Sequence, residues 1–150
     1  MIQSLKVRGY NGQGFGSGFI RRFTFGNFSH VSLVFEWNNG ECEEIEAIQG
    51  KGVIMHKPWS ADEKDFIELD VPVTEAVAFE VFIEAHGKLG AKYDWKGIWG
   101  FVRKKNRHNP NKFFCSELVA YALYKAGYPL SRREPYRETP TSVMESLRLK

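Results

Sequence analysis

The apolar residues of this chain change their spacing near residue 74, from a pattern typical of strands to the four-residue interval of helices. Before that point, residues 30–37 are rich in β-branched and aromatic side chains, and Asn38, Asn39 and Gly40 have turn composition. The expected strands are residues 30–37, 41–48, 53–56 and 65–71. Because their connections are short, they predict a meandering antiparallel sheet.

Three helices are expected after the change in spacing. Each has a suitable starting residue, an apolar stripe and a suitable end. The residues that mark their ends are, in chain order, Thr74 and Gly87 or Gly90, Cys115 and Gly127, and Thr139-Pro140 and Leu147. A block of strands followed by helices predicts an α+β fold. With 150 residues, of which 43% are hydrophobic, we expect one domain spanning residues 1–150.

The cysteine content excludes a disulfide framework. The chain has two cysteines and neither a C-x-x-C spacing nor a paired Cys/His cluster, so we expect free thiols, no zinc site and no cofactor. The N-terminal residues have no long apolar stretch, and no run approaches 18 apolar residues. We therefore expect a protein of the reducing cytoplasm without a transmembrane segment. The bacterial or phage origin that we also expect depends on the family resemblance described below.

Cys115 lies where a loop becomes a helix, in the segment FFCSELV at residues 113–119. The first-turn amides and the helix macrodipole favour a thiolate there, and the thiolate is the nucleophilic form. Cys115 is therefore a candidate nucleophile, whereas Cys42 has no helix start beside it. Ser116 has no advantage over the adjacent thiol. The carboxylate of Glu117 suits the first helical turn, which favours a structural role.

A cysteine nucleophile needs a histidine base, and the chain has four histidines. His86 lies inside the first expected helix and His108 inside a basic loop, where each is readily explained as a solvated side chain. His56 ends a short strand and remains open. His30 is the strongest candidate because it starts the strongest strand, where a rigid element fixes its ring.

The turn after the first expected strand decides whether Glu46 can orient His30. A three-residue turn at residues 38–40 pairs Trp37 with Glu41 and puts Glu46 diagonal to His30 on one face, ~7–8 Å apart. A two-residue turn would move Glu46 to the other face. Glu46 is therefore a candidate that depends on the turn, while Glu44 lies further from His30.

Several segments resemble the NlpC-type papain-like cysteine hydrolases. They are LGAKYDWKG at residues 89–97, FFCSELVAY at 113–121 and AGYPLS at 126–131. In that family, however, the histidine strand follows the cysteine helix. Here SHV at 29–31 and IEA at 45–47 come first. This order resembles the circularly permuted, YiiX-like branch of the family, and the likeness covers about residues 28–143.

The resemblance implies a permuted papain-like fold, an antiparallel sheet with the cysteine-bearing helix packed against it, and the site residues of a cysteine peptidase or amidase. Cys115 would be the nucleophile, His30 the base and Glu46 the residue that orients the ring. Tyr93 matches a tyrosine near the family's nucleophile and would support the oxyanion or the substrate. The implied substrate is an amide, a peptide or an acyl ester, and acyl transfer is an alternative outcome to hydrolysis.

The basic final third suggests a second hypothesis. Residues 101–150 carry eleven Lys/Arg against four Asp/Glu, with the densest run at residues 103–108. Such a charge suits a non-enzymatic module that binds nucleic acid or an anionic membrane surface, although no nucleic-acid-binding motif supports it. A solvated loop is the simpler interpretation of the run.

Two further segments have no assigned role. Residues 9–18 contain five glycines, yet they match neither phosphate-binding pattern. We expect a surface loop there, with Phe15 and Phe19 as contacts if it borders a site. Trp95, Trp99 and Phe101 form an aromatic segment that would line a cleft or cover the core.

Overall fold

The computed structural model describes residues 1–11, 28–94 and 111–149. These residues form a five-stranded antiparallel sheet, a two-stranded parallel pair and three α-helices. The strands are β1 (Ile2–Tyr10), β2 (His30–Trp37), β3 (Cys42–Ile48), β4 (Gly52–His56), β5 (Phe66–Asp70), β6 (Lys92–Tyr93) and β7 (Lys112–Phe113). The helices are α1 (Glu75–His86), α2 (Cys115–Lys125) and α3 (Pro140–Arg148), with a 3-10 turn at Pro135–Arg137. The prediction of an α+β fold is confirmed.

The strand order of the large sheet is β4-β3-β2-β1-β5, and every pair in it is antiparallel. The expected meander is confirmed for β2, β3 and β4. It is wrong for β5, which pairs with β1 at the opposite edge. The chain crosses between these edges in residues 57–65, where Trp59 N donates to Glu44 and Trp59 O accepts from Arg8. These contacts tie the crossing segment to the polar face of the sheet.

β1 is a strand that the sequence analysis did not predict. Its apolar residues Leu5 and Val7 alternate with polar ones, as in a strand with one core face. Gly9, assigned above to a surface loop, lies inside β1. A Cβ atom there would lie 2.6 Å from the Phe28 ring, so the position needs glycine. The remaining glycines of the expected loop, in residues 12–18, lie outside the described residues.

The β2–β3 hairpin has the three-residue turn on which the argument for Glu46 depends. Trp37 N donates to Glu41 O at 2.8 Å, and Gly40 has a φ of 88°, which favours glycine. The pairs between β2 and β3 follow this turn, so the predicted register is confirmed. By alternation along the strands, Glu46 shares a face of the sheet with His30.

The opposite face of the sheet forms the core with the helices. Val31, Leu33 and Phe35 of β2 are fully buried, and Leu118 and Leu123 of α2 belong to the same cluster. Burial of a side chain of this size contributes ~1.5–3 kcal/mol. Because α2 packs on β2 and β3, the core fixes the start of α2 relative to both strands.

The predicted helix ends are confirmed to within about one residue. Thr74 Oγ1 accepts from Val77 N at 3.2 Å before α1. Thr139 Oγ1 accepts from Ser142 N at 3.0 Å before α3. Gly127, with a φ of 87°, follows α2 and allows the left-handed conformation that ends a helix.

Candidate active site

The strand hairpin brings His30 and Glu46 together. His30 is the first residue of β2 and Glu46 lies in β3. His30 Nε2 lies 2.6 Å from Glu46 Oε1, and the two side chains are 2% and 0% exposed. The predicted diagonal contact is confirmed, and the carboxylate holds one ring nitrogen of His30.

The start of α2 places Cys115, which is 1% exposed. Two of its neighbours anchor this helix end. Glu117 Oε1 accepts from Phe114 N at 3.4 Å, which satisfies an amide before the first turn. Ser116 Oγ donates to Glu138 O at 2.7 Å, so its hydroxyl is engaged in holding the helix against the following 3-10 segment. The contact of Glu117 fits the structural role expected for it, and the contact of Ser116 leaves its hydroxyl occupied.

Cys115 is close enough to His30 to act on the pKa of its ring, by its charge and as a hydrogen-bonding partner. Burial opposes the imidazolium, but Cys115 and Glu46 outweigh it and raise the pKa of His30 to about 10. These three side chains form a connected row that can hold a thiolate–imidazolium pair.

Glu46 stays ionised in this row. Burial opposes its charge, but the hydrogen bonds donated by His30 and His56 lower the pKa of Glu46 to about 2. A carboxylate that is charged at every ordinary pH accepts the Nε2–H of His30 and fixes the ring orientation.

His56 is the neighbour of Glu46 that the sequence analysis left open. It ends β4, and its Nε2–H donates to Glu46 Oε2. The hydrogen bond with Glu46 is the main cause of a raised pKa at His56. The turn at residues 49–51 gave a usable signal, because pairing Ile48 with Gly52 makes His56 a diagonal neighbour of Glu46.

Glu44 is the centre of a second buried cluster on the same face. Tyr10 Oη donates to Glu44 Oε2 at 2.5 Å, and the Ser32 hydroxyl donates to the same oxygen. Arg8 Nη1 lies 3.9 Å from Glu44 Oε1, while Arg8 Nε donates to Glu68 at 2.6 Å. Glu44 was predicted to lie further from His30 than Glu46, and its own partners are hydroxyls and a guanidinium.

The parallel pair β6–β7 positions Tyr93 beside the nucleophile. Tyr93 pairs with Phe113, two residues before Cys115. Burial, followed by the charges of Cys115 and Asp94, raises the pKa of Tyr93 above its usual value. The phenol therefore stays neutral and keeps a proton to donate, as the suggested oxyanion role requires.

Asp94 and Glu117 are two further buried acids near the start of α2, each 1% exposed. Burial and the charge of Asp94 raise the pKa of Glu117 to about 8. Glu117 is therefore largely protonated at neutral pH. A neutral Glu117 does not repel an anion at Cys115.

The other candidates considered above lie elsewhere. Cys42 Sγ lies 3.9 Å from Glu36 Oε2. Burial, followed by the charge of Glu36, raises the pKa of Cys42, so this thiol is not activated. Cys42 lines a separate cleft of about 360 Å³ together with Lys6. His86 is exposed at the end of α1, and its ring centroid lies 5.2 Å from that of Phe82 in a tilted arrangement.

Several predicted features lie outside the described residues. They are Phe15 and Phe19, the aromatic residues Trp95, Trp99 and Phe101, and the basic run 103–108 with His108.

Within the described part of the chain, Glu44, Glu46 and His56 offer ligand atoms that lie within 4.8 Å of one another. Oxygen and imidazole ligands of this kind suit a divalent cation. Both oxygens of Glu46 already accept from histidines, and the guanidinium of Arg8 lies beside Glu44. We therefore assign no metal to these residues.

A comparison with known protein families found no match, and a search of curated proteins found no significant relative. Among the described residues, no helix is both long enough and apolar enough to cross a membrane.

Proposed function

We propose that this protein is a thiol-dependent hydrolase, a cysteine peptidase or amidase or a related acyltransferase, that forms an acyl-enzyme on Cys115. The observation that carries the proposal is the position of His30. Its ring contacts Glu46 through Nε2, and it is near enough to Cys115 for Cys115 to raise the pKa of the ring. A nucleophile, a base and an orienting carboxylate in one buried row are the components of a catalytic triad.

In the acylation step, the Cys115 thiolate attacks the carbonyl carbon of the substrate. A C–S bond forms, and the electron pair of the carbonyl moves to the oxygen. The backbone N–H of Cys115 at the helix start and the phenol of Tyr93 are the donors that stabilise this oxyanion. The imidazolium of His30 then protonates the leaving group as the bond to it breaks.

In the deacylation step, neutral His30 takes a proton from water, and the resulting hydroxide attacks the thioester carbonyl. The C–S bond breaks, the acid is released, and the thiolate is restored beside the imidazolium. An acceptor alcohol or amine in place of water gives acyl transfer by the same steps.

The arrangement supports a permuted papain-like architecture as part of the proposal. The histidine and glutamate strands precede a cysteine helix that packs on them, in the chain order of the YiiX-like proteins. The resemblance to NlpC-type enzymes suggests a peptidoglycan-type amide as substrate. The permuted acyltransferase relatives suggest a lipid acyl ester, which would bring the protein to a membrane surface.

The alternative hypothesis, a binding module for nucleic acid or anionic membrane, rests on the basic final third, residues 101–150, whose densest run is residues 103–108. That run lies outside the described part of the chain, so the hypothesis gains no structural support from it.

The test compares Cys115→Ala with Cys42→Ala on a panel of activated esters, peptide amides and peptidoglycan fragments. We expect turnover in the wild type and in Cys42→Ala, none in Cys115→Ala, and an acyl adduct on Cys115 by intact-mass spectrometry. Equal turnover in both variants would disprove the proposal. Iodoacetamide is the matching probe without a substrate, because a small reagent suits a thiol that is 1% exposed.

A further inference from the structure

The carboxylate of Glu46 has a second histidine partner on the side away from His30. His30 Nε2 lies 2.6 Å from Oε1, and His56 Nε2 contacts Oε2. His30 is 2% exposed, whereas the side chain of His56 is 22% exposed. Glu46 therefore lies between a buried imidazole and one that reaches solvent.

Both ring nitrogens of His56 face acceptors. Nδ1 lies 2.6 Å from the backbone carbonyl oxygen of Lys57, and Nε2 faces the carboxylate of Glu46. A neutral imidazole has one N–H and can donate to only one of these groups. Because the imidazolium donates to both, the surroundings of His56 favour the charged ring.

The other groups around His56 include one that favours the same charge and two more distant cations that oppose it. Glu44 Oε1 lies 3.9 Å from His56 Nε2, so a second carboxylate faces the ring. The ring of Trp59 lies 5.3 Å from that of His56, centroid to centroid. Two cations lie behind these neighbours, with Arg8 Nη1 3.9 Å from Glu44 Oε1 and Lys64 Nζ 5.5 Å from the Trp59 ring.

We propose that His56 is a positioning residue that, as an imidazolium, holds Glu46 in the orientation in which it accepts from His30. The active row then has four members, Cys115, His30, Glu46 and His56, with alternating charges when the thiol is ionised. This inference rests on the proposed function for its catalytic meaning. It goes beyond the triad because it gives the second oxygen of Glu46, Oε2, a functional partner, His56, which is partly exposed to solvent.

When the imidazolium of His56 loses a proton and becomes neutral, one of its two acceptors, Lys57 O or Glu46 Oε2, loses its hydrogen-bond donor. In either neutral tautomer Glu46 loses the positive charge that faces Oε2, and in the Nδ1–H tautomer it also loses that hydrogen bond, so its carboxylate is held less firmly. The reactivity of Cys115 should therefore contain a pH-dependent step that belongs to His56. A merely structural histidine would change the folded fraction and leave the pH profile of the folded protein unaltered.

The first measurement uses the full-length wild-type protein labelled with ¹⁵N. Long-range ¹H–¹⁵N correlation spectra report whether each ring nitrogen carries a proton. We expect both nitrogens of His56 to be protonated at pH 7. We also expect Glu46→Gln to lower the titration midpoint of His56 by about 1 pH unit or more, because the facing charge is removed. A neutral His56 ring at pH 7 in the wild type would overturn the proposal.

The second measurement is the rate of Cys115 alkylation by iodoacetamide between pH 5 and pH 10. His56→Ala removes the donor and the charge, His56→Gln keeps a donor without the charge, and His86→Gln is the matched control on an exposed helix. We expect about a tenfold lower rate at pH 7 in His56→Ala and a smaller loss in His56→Gln. Both variants should lack the His56 step, and the control should match the wild type.

Each result bears on a separate claim. Rates and profiles equal to the wild type in both His56 variants contradict the positioning role while the proposed function stands. If His30→Gln is alkylated as fast as the wild type, the proposed function fails, and the spectra still decide the charge of His56. Circular dichroism checks folding, and if His56→Ala does not fold, His56→Gln and the wild-type spectra decide the question.

Discussion

Two carboxylates of β3, Glu46 and Glu44, differ only in their neighbours. They are two residues apart on the same face of the sheet, and both are fully buried. Glu46 lies between the imidazoles of His30 and His56. Glu44 accepts from the hydroxyls of Tyr10 and Ser32 and lies near a guanidinium.

The difference teaches that the partners of a buried carboxylate decide what it does. The charge of Glu46 acts on a ring that can exchange protons with Cys115 and with a substrate. The hydroxyl and guanidinium partners of Glu44 keep their protonation states through the ordinary pH range, and the titratable ring of His56 lies 3.9 Å from Glu44 but contacts Glu46 directly. Glu44 therefore chiefly stabilises the face. We therefore expect Glu46 to govern activity and Glu44 to govern stability.

The largest expected effect separates the two carboxylates by activity. Glu46→Gln keeps the shape but removes the charge that orients and stabilises the His30 imidazolium, so turnover should fall about 10²- to 10⁴-fold. Glu44→Gln is the matched control and should retain near wild-type turnover per folded molecule. Steady-state kinetics on the best substrate of the panel measures both. Equal losses in the two variants would remove the distinction.

The next effect concerns stability, where Glu44 rather than Glu46 is expected to matter more. Glu44→Ala leaves the Tyr10 and Ser32 hydroxyls without their acceptor and removes a carboxylate from beside Arg8, so the free energy of unfolding should fall by ~3–5 kcal/mol. Urea denaturation at pH 7 measures this loss, and Glu44→Gln should lose less because it keeps an acceptor. A loss below ~1 kcal/mol would show that the cluster contributes little.

The sequence predicted much of the site because the site depends on local rules. Turn composition at residues 38–40 reduced the register of β2 and β3 to two alternatives, and the three-residue turn in the structure puts Glu46 beside His30. The start of α2 followed from helix spacing. The proximity of Cys115 to His30, by contrast, depends on the packing of α2 on the sheet, which no local pattern contains; the family resemblance supplied it.

Other parts were missed for physical reasons. β1 was overlooked because Gly9 was grouped with a glycine-rich loop, although it packs against Phe28 within the strand. The pairing of β5 with β1 joins residues about 60 apart, and such contacts leave no local signal. The position of His56 near Glu46 was accessible from the sequence, since the hairpin argument used for β2 and β3 applies equally to β3 and β4.

A smaller effect is expected in the pH dependence of turnover. The raised pKa of His30 means that its imidazolium contributes stability fully below its unfolded value near 6.5, and this is lost as the pH rises through about 10. Turnover, which needs the imidazolium as acid, should fall over the same alkaline range. In Glu46→Gln the alkaline fall in turnover should move to lower pH, and in Glu44→Gln it should occur at the same pH as in the wild type. A fall in wild-type turnover near pH 6.5 would contradict the raised pKa of His30.

The contribution of Glu46 to stability has the opposite pH dependence to that of His30. The pKa of Glu46 is lowered to about 2, so its contribution to stability is present above the ordinary carboxyl range and is lost as the pH falls through about 2. Acid unfolding followed by circular dichroism should therefore begin at lower pH in the wild type than in Glu46→Gln.

The central claim is that Glu46 acts on Cys115 only through His30. A double-mutant cycle tests it directly, with the rate of Cys115 alkylation at pH 6 measured in the wild type, Glu46→Gln, His30→Gln and the double variant. We expect each single variant to be slower than the wild type and the double variant to be no slower than His30→Gln. If Glu46→Gln slows alkylation equally with and without His30, or if neither single variant slows it, the connected row does not operate as described.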